Sequence, residues 1–185
     1  MSKVYVFLAD GFEEIEALTV VDMLRRVNVE TVMVSVTGKR SVAGAHGIAV
    51  EADGLFSEYS FEDGTMAVLP GGMPGTDHLM AHEGLKEVLL SYAAEKKYLA
   101  AICAAPSVLG MNGLLQGRHA TCFPGFEEKL LGAVAMPDAV VMDGTVITSR
   151  GMGTAISFAA ALVSVLVDED TSEKLLETIQ YSVDK

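Results

Sequence analysis

Two residues in this chain could carry chemistry by their placement: a cysteine at the end of an apolar run and a glutamate on the apolar face of a helix. The run LAAICAAPSVLG, residues 99–110, breaks at Cys103, one of two cysteines. Tyr98 to Ile102 reads as a buried strand, and the small residues and Pro106 beyond the cysteine allow a tight turn into a helix. A thiol at such a junction faces unpaired helix N–H groups, whose partial positive charge favours thiolate. This is the geometry of a nucleophile elbow without its G-x-S-x-G sequence. The alternative is a small buried hydrophobe, as most free cysteines are.

Glu16 decides between them. In the helix expected over Glu13 to Val27, the residues Ala17, Val20, Val21, Met23, Leu24 and Val27 share one face, while Glu14, Asp22, Arg25 and Arg26 lie opposite. Glu16 falls inside the apolar face, and Glu13 shares that face from the first turn, where the helix dipole accounts for it. An inward carboxylate is costly unless partnered or protonated, and burial raises its pKa. If the first and fifth elements adjoin, Glu16 reaches Cys103, and a neutral carboxyl could donate a hydrogen bond to a thiolate. The alternative is a carboxylate that snorkels to solvent.

The loop PGGMPG, residues 70–75, lacks the Lys-Ser/Thr of a P-loop and the G-x-G-x-x-G of a dinucleotide site. Its glycines would let a backbone N–H approach the nucleophile and, with the Ala104 N–H, frame an oxyanion hole. An ordinary tight turn is the alternative. His78 and His82 are four apart but lack a third ligand, so no metal site is expected and both read as surface residues. Cys122 reads as a packing or accessory thiol. A cysteine–histidine pair would need His46 or His119 to approach through the fold or from a partner chain.

Positioning these groups requires strands that end together. Lys3 to Ala9, Thr31 to Val36, Met66 to Leu69 and Tyr98 to Ile102 are apolar runs separated by helical segments, the signature of a parallel sheet covered on both faces. In such a sheet Asp10–Glu16, Pro70–Gly75 and Ile102–Pro106 converge at the carboxyl ends of the strands, where ligands gather. Val42 to Asp53 suggests a small hairpin excursion, and Ala139–Met142, Asp143-Gly144 and Thr145–Thr148 suggest a second hairpin with Asp-Gly at its turn. A helix over Thr154 to Val167 and an amphipathic one over Thr171 to Ser182 complete the chain.

With 185 residues and half of them hydrophobic, the chain is expected to form one domain over 1–185. Its net charge of −12 repels a phosphate backbone, so nucleic acid is not an expected partner. The longest apolar stretch falls short of the roughly 20 residues that span a bilayer, and the N-terminal run is too short for a signal peptide. A cytoplasmic protein with free thiols and no membrane association is the expectation.

The segments ADGFEEIEALTVVDMLRR at 9–26, VLPGGMPG at 68–75, AAICAAPSVL at 100–109 and TSRGMGTAISFA at 148–159 resemble, in order, the motifs of the ThiJ/PfpI family and its parkinsonism-associated deglycase branch. The resemblance covers nearly the whole chain. It implies an α/β fold, a flavodoxin-like three-layer sandwich with a mostly parallel sheet and helices on both faces, usually dimeric. It also implies Cys103 as nucleophile, Glu16 as its carboxyl partner, Gly72 and Ala104 as backbone donors, and no cofactor. Gly71, His46, Phe123, Arg150 and Met152 become candidate pocket residues.

Relatives are described as glyoxalases or deglycases that convert methylglyoxal to lactate or remove glyoxal adducts, and others as oxidation sensors or holdase chaperones whose cysteine becomes a sulfinate. Four positions depart from the family patterns. Phe123 replaces a histidine thought to assist proton transfer, and Ala104 replaces the histidine of the protease-like branch, which makes peptidase activity improbable. Met152 stands for a proline, and His46 for an arginine near the dimer site, so anion binding there would depend on pH. A small dicarbonyl or glycated substrate is the expected partner of an enzyme; a sensor would record oxidation at Cys103 with little turnover.

Overall fold

A computed structural model describes residues 2–182. Five parallel strands form its centre: β1 (Lys3–Leu8), β2 (Glu30–Ser35), β6 (Met66–Leu69), β7 (Tyr98–Ile102) and β11 (Val146–Ser149). Between β2 and β6 lie β3 (Ser41–Ala43) and β4 (Ala49–Glu51), the expected antiparallel hairpin, and β5 (Gly54–Leu55), which extends the sheet edge beside β2. The order is β10-β11-β7-β6-β1-β2-β5, where β10 (Val140–Asp143) runs antiparallel to β11. The chain steps from β1 to β2 on one side and then to β6 on the other. That reversal opens a crevice at the carboxyl ends of β1 and β6.

Each central strand is buried on both faces, so successive side chains feed two cores. Val4, Val6 and Leu8 of β1 join one, and Tyr5, Phe7 and Ala9 join the other. The first core is closed by α1 (Glu14–Arg26), α5 (Ala155–Leu166) and α6 (Glu169–Thr178), through residues such as Val20, Leu24, Phe158 and Leu175. The second is closed by α2 (Gly75–Ala81), α3 (Glu83–Ala94) and α4 (Pro106–Met111), through Leu79, Leu89 and Leu109. This is the flavodoxin-like three-layer sandwich. Among the described residues, no helix is long and apolar enough to cross a membrane.

Three expectations shift. The second hairpin turns at Gly144-Thr145 instead of Asp143-Gly144, because Asp143 pairs with Val146 and leaves Gly144, at φ 61, as the first turn residue. The last helix begins at Glu169 and ends at Thr178; Asp168 caps it, its carboxylate accepting from the Thr171 N–H at 2.7 Å. A short pair, β8 (His119–Ala120) with β9 (Val134–Ala135), runs parallel in a segment the sequence left without strands. Two-residue strands carry too little periodicity to read.

Candidate active site

The strand-to-helix junction after β7 places Cys103 at φ +64, a left-handed conformation uncommon for a side chain with a Cβ. Main-chain bonds hold it there: its N–H donates to the Ser149 carbonyl at 2.9 Å, and its carbonyl accepts from the Phe123 N–H at 2.8 Å. Residues kept in such conformations cluster at functional sites, where the surrounding structure over-determines them. The helix after the elbow begins only at Pro106. The donors that face the sulfur are therefore the N–H groups of Ala104 and Gly72, both of which pull the thiol pKa down.

The loop 70–75 makes this approach possible. A Cβ on Gly71 would lie 2.6 Å from the Cys103 Cβ and 2.8 Å from Glu16 Oε2, so only glycine lets the three segments meet. Gly72 has φ +92, and a Cβ there would lie 2.4 Å from the Glu13 nitrogen. The loop is tied to the start of α1 by the Glu13 N–H donating to the Gly71 carbonyl at 2.8 Å.

Glu16 is 1% exposed, as its place on the apolar face predicts. Its Oε2 accepts from the Gly71 N–H at 2.8 Å, while Oε1 is buried and, among the described residues, has no hydrogen-bond partner. The Cys103 side chain is its neighbour across Gly71, close enough for the thiol to act on the carboxyl's pKa. Burial pushes Glu16 up to about 7, against the opposing pull of Gly71 and Cys103. Burial, followed by the charge of Glu16, pushes Cys103 up to about 12. The thiol expected to lean toward thiolate beside the helix end and Glu16 is instead held up, because burial and the Glu16 charge outweigh the Ala104 and Gly72 donors.

Two anions side by side in a buried site are disfavoured, so the thiol gives up its proton only with difficulty once Glu16 is ionised. The Ala104 and Gly72 N–H groups oppose that shift and would stabilise a thiolate formed while Glu16 keeps its proton. A neutral carboxyl then satisfies both its oxygens, one as acceptor and one as donor.

Phe123, Arg150 and Met152 come together around a surface cavity of about 330 Å³ completed by Pro124, Gly151, Gly153 and Thr154. His46 lies outside that lining. Its Nδ1 is 2.8 Å from Glu14 Oε2 and 3.2 Å from Glu13 Oε2, and its backbone N–H donates to Glu14 Oε1 at 2.8 Å. These three side chains could present one ligand atom each within 4.8 Å, but a protonated His46 already satisfies both carboxylates. Glu14, assigned by periodicity to the exposed face, is 3% exposed because the β3–β4 hairpin covers it. His119 pairs instead with Asp143 at 3.2 Å, His78 donates through Nδ1 to the Asp10 carbonyl at 2.8 Å, and His82 caps α3. Cys122 is buried in the second core, as a packing thiol is.

Sequence reasoning missed the Glu14–His46 clamp and Ser149, whose carbonyl fixes the elbow. A carbonyl acceptor leaves no mark in residue type, and the clamp arises from a hairpin that helical periodicity does not register.

Comparison with known proteins identifies the family and the fold. The sequence profile of the DJ-1/PfpI family matches residues 2–165. Protein DJ-1 homolog B of Arabidopsis thaliana is 37% identical over 91% of this chain, and the match spans 39% of that longer protein. Protein dj-1beta of Drosophila melanogaster is 31% identical over 95% of both chains. The solved structure of oxidized Toxoplasma gondii DJ-1 superposes with a TM-score of 0.95 at 35% identity, covering 98% of this chain and all of the other. This chain belongs to the DJ-1/PfpI family.

Proposed function

We propose that the protein is a cofactor-independent glyoxalase or deglycase of stress metabolism, acting in the cytoplasm through Cys103 and Glu16. The observation that carries this reading is the juxtaposition of a thiol on a strained elbow with a buried carboxyl pushed up to about 7, the two side chains meeting across Gly71. The sulfur attacks the aldehyde carbon of an α-oxoaldehyde; the carbonyl π pair moves to oxygen, which takes the Glu16 proton and gives a hemithioacetal. Glu16, now a carboxylate, removes the hydrogen of that carbon as a proton, the C–H electron pair forms the carbon–carbon double bond and the ketone π pair moves to its oxygen. The hydroxyl proton of the first carbon passes to that oxygen, and Glu16 returns its own proton to the second carbon, leaving a thioester carbonyl and a hydroxyl. The resulting thioester is hydrolysed by water, releasing a 2-hydroxy acid and the thiol. The Ala104 and Gly72 N–H groups stabilise the negative charge at the sulfur before attack.

Phe123 cannot move a proton, so the proton transfers to and from carbon fall to Glu16. Incubation with methylglyoxal should yield lactate from the wild type, and Cys103→Ala should lose the activity down to background. Equal lactate from both would end the proposal.

A second reading shares the residues. With its charge on sulfur, Cys103 is the site where peroxide adds oxygen, and a neutral Glu16 can hydrogen-bond a sulfinate. The oxidized state of the Toxoplasma relative favours this. Peroxide that adds two oxygens to Cys103 before any methionine changes, in a protein that forms no lactate, would make the sensor reading the function. We also propose a homodimer. Ile15 and Ile48 are 51% and 56% exposed and rim one groove with Leu18, Ile156 and Ile179, an apolar patch a second copy would cover. Light scattering should give twice 19.6 kDa.

A further inference from the structure

The mouth beside Cys103 is built differently from a site for the smallest aldehydes. Phe123 and Met152 are 48% and 53% exposed, both on the rim of the 330 Å³ cavity. Singly exposed apolar side chains are ordinary, but these two line one opening instead of scattering. Gly151 lines the cavity on the side of the nucleophile. A Cβ built on that residue would sit 3.8 Å from the Cys103 sulfur and 3.3 Å from the Phe123 ring, so glycine keeps the cavity wall thin between them. At Gly153, further out, a Cβ would meet nothing within 4 Å.

The walls are fixed. The Phe123 N–H is bound to the Cys103 carbonyl at 2.8 Å, which sets the ring in register with the nucleophile. Across the opening, Thr154 Oγ1 accepts from the Gly151 N–H at 3.1 Å and lies 2.7 Å from Ser149 Oγ, pinning the loop that carries Met152. Arg150 is the one charged residue in the lining, and its Nη1 is occupied by the Pro137 carbonyl at 2.8 Å. The cavity volume lies at the low end of small-molecule sites, and its main surfaces are a ring, a thioether, a proline and glycines.

We infer that this cavity is a subsite for an apolar tail, and that Phe123 and Met152 select α-oxoaldehydes with an aryl or branched alkyl substituent over methylglyoxal. This rests on the use of Cys103 as the nucleophile proposed above. Binding the tail holds the reacting carbon at the sulfur, so the preference shows wherever Cys103 attacks an electrophile, with or without turnover.

The test reads the subsite and the enzyme separately. Rates of Cys103 modification by N-phenylmaleimide and N-methylmaleimide are measured by intact mass, and their ratio is divided by the same ratio for glutathione. Wild type should favour the phenyl reagent by about tenfold beyond glutathione, the scale on which an apolar pocket discriminates. Phe123→Ala/Met152→Ala should fall to the glutathione ratio, while Phe123→Leu, still apolar, should keep most of the preference. A wild-type ratio equal to that of glutathione would overturn the inference. In parallel, kcat/KM for phenylglyoxal conversion to mandelate should exceed that for methylglyoxal by a similar factor, and the double variant should erase the difference. Absence of turnover with both aldehydes, alongside an intact maleimide preference, would overturn the glyoxalase reading and leave the tail subsite standing.

Discussion

Two buried glutamates sit two residues apart on α1, and their surroundings drive them in opposite directions. Glu14 is held down at about 2, although burial alone would raise it, by the His46 ring and by the backbone N–H groups of His46 and Ile48. Glu16 is pushed up to about 7, with the Gly71 N–H as its one backbone donor. Residue type and helix are the same and both side chains are nearly closed to solvent, but Glu16 lies deeper in the protein. That depth at Glu16, and the extra donors and the cation at Glu14, make one carboxylate a structural anion and leave the other able to exchange a proton near neutrality. His46 is raised by the same pairing, chiefly by Glu14 and then by the charge of Glu13.

The sharpest way to break this contrast is to remove ionisation at each position. Glu16→Gln keeps the shape, the acceptor for Gly71 and a donor for sulfur, but cannot transfer protons. Turnover should fall about 10²- to 10⁴-fold, the usual worth of a general acid–base, while Cys103 remains open to alkylation. Glu14→Gln should leave kcat within a few-fold of wild type, because that carboxylate does not touch the thiol. Comparable losses of kcat in the two variants would show that α1 carries one electrostatic unit instead of two.

Stability as a function of pH should separate the two next. Glu16 binds its proton more tightly folded than unfolded, so its contribution is complete below 4.5 and is lost as pH rises toward 7. The full swing is about 3 kcal/mol for a shift of this size. Glu14 works with the opposite sign: its stabilisation is present above 4.5 and is lost as pH falls toward 2. Urea unfolding at pH 5 and pH 8 should therefore show wild type losing stability relative to Glu16→Gln on going to the higher pH. No change in that difference would mean that Glu16 is not protonated in the folded state at pH 5.

The Glu16 side of this contrast was legible in the sequence and the Glu14 side was not. Glu16 stands out because a single helix supplies its context: six apolar residues share its face, and period alone exposes the anomaly. The parallel strands are equally visible, since apolar runs such as VYVFLA are buried on both faces whatever their neighbours. Glu14 looked exposed because its cover, the β3–β4 hairpin, comes about thirty residues later and lies across the helix start. The thiol environment was half legible. The elbow could be read from strand, cysteine and small residues, but the balance of burial against two N–H donors depends on how closely the 70–75 loop approaches.

The smallest test acts on Glu14 from outside. His46→Gln removes the cation but keeps the backbone donors of residues 46 and 48, which come from the hairpin and not from the imidazole. The Glu14 carboxyl, followed by carbon-detected NMR, should rise from about 2 yet stay below its ordinary 4.5, because the backbone N–H donors of Glu14, residue 46 and Ile48 still oppose burial. Glu16 should hardly move, since the causes of its shift are its own burial, Gly71, Cys103 and Glu13. If Glu14 instead climbed toward the value of Glu16, the imidazole alone would have set the difference between the two. The backbone of the hairpin would then count only as the scaffold that delivers it.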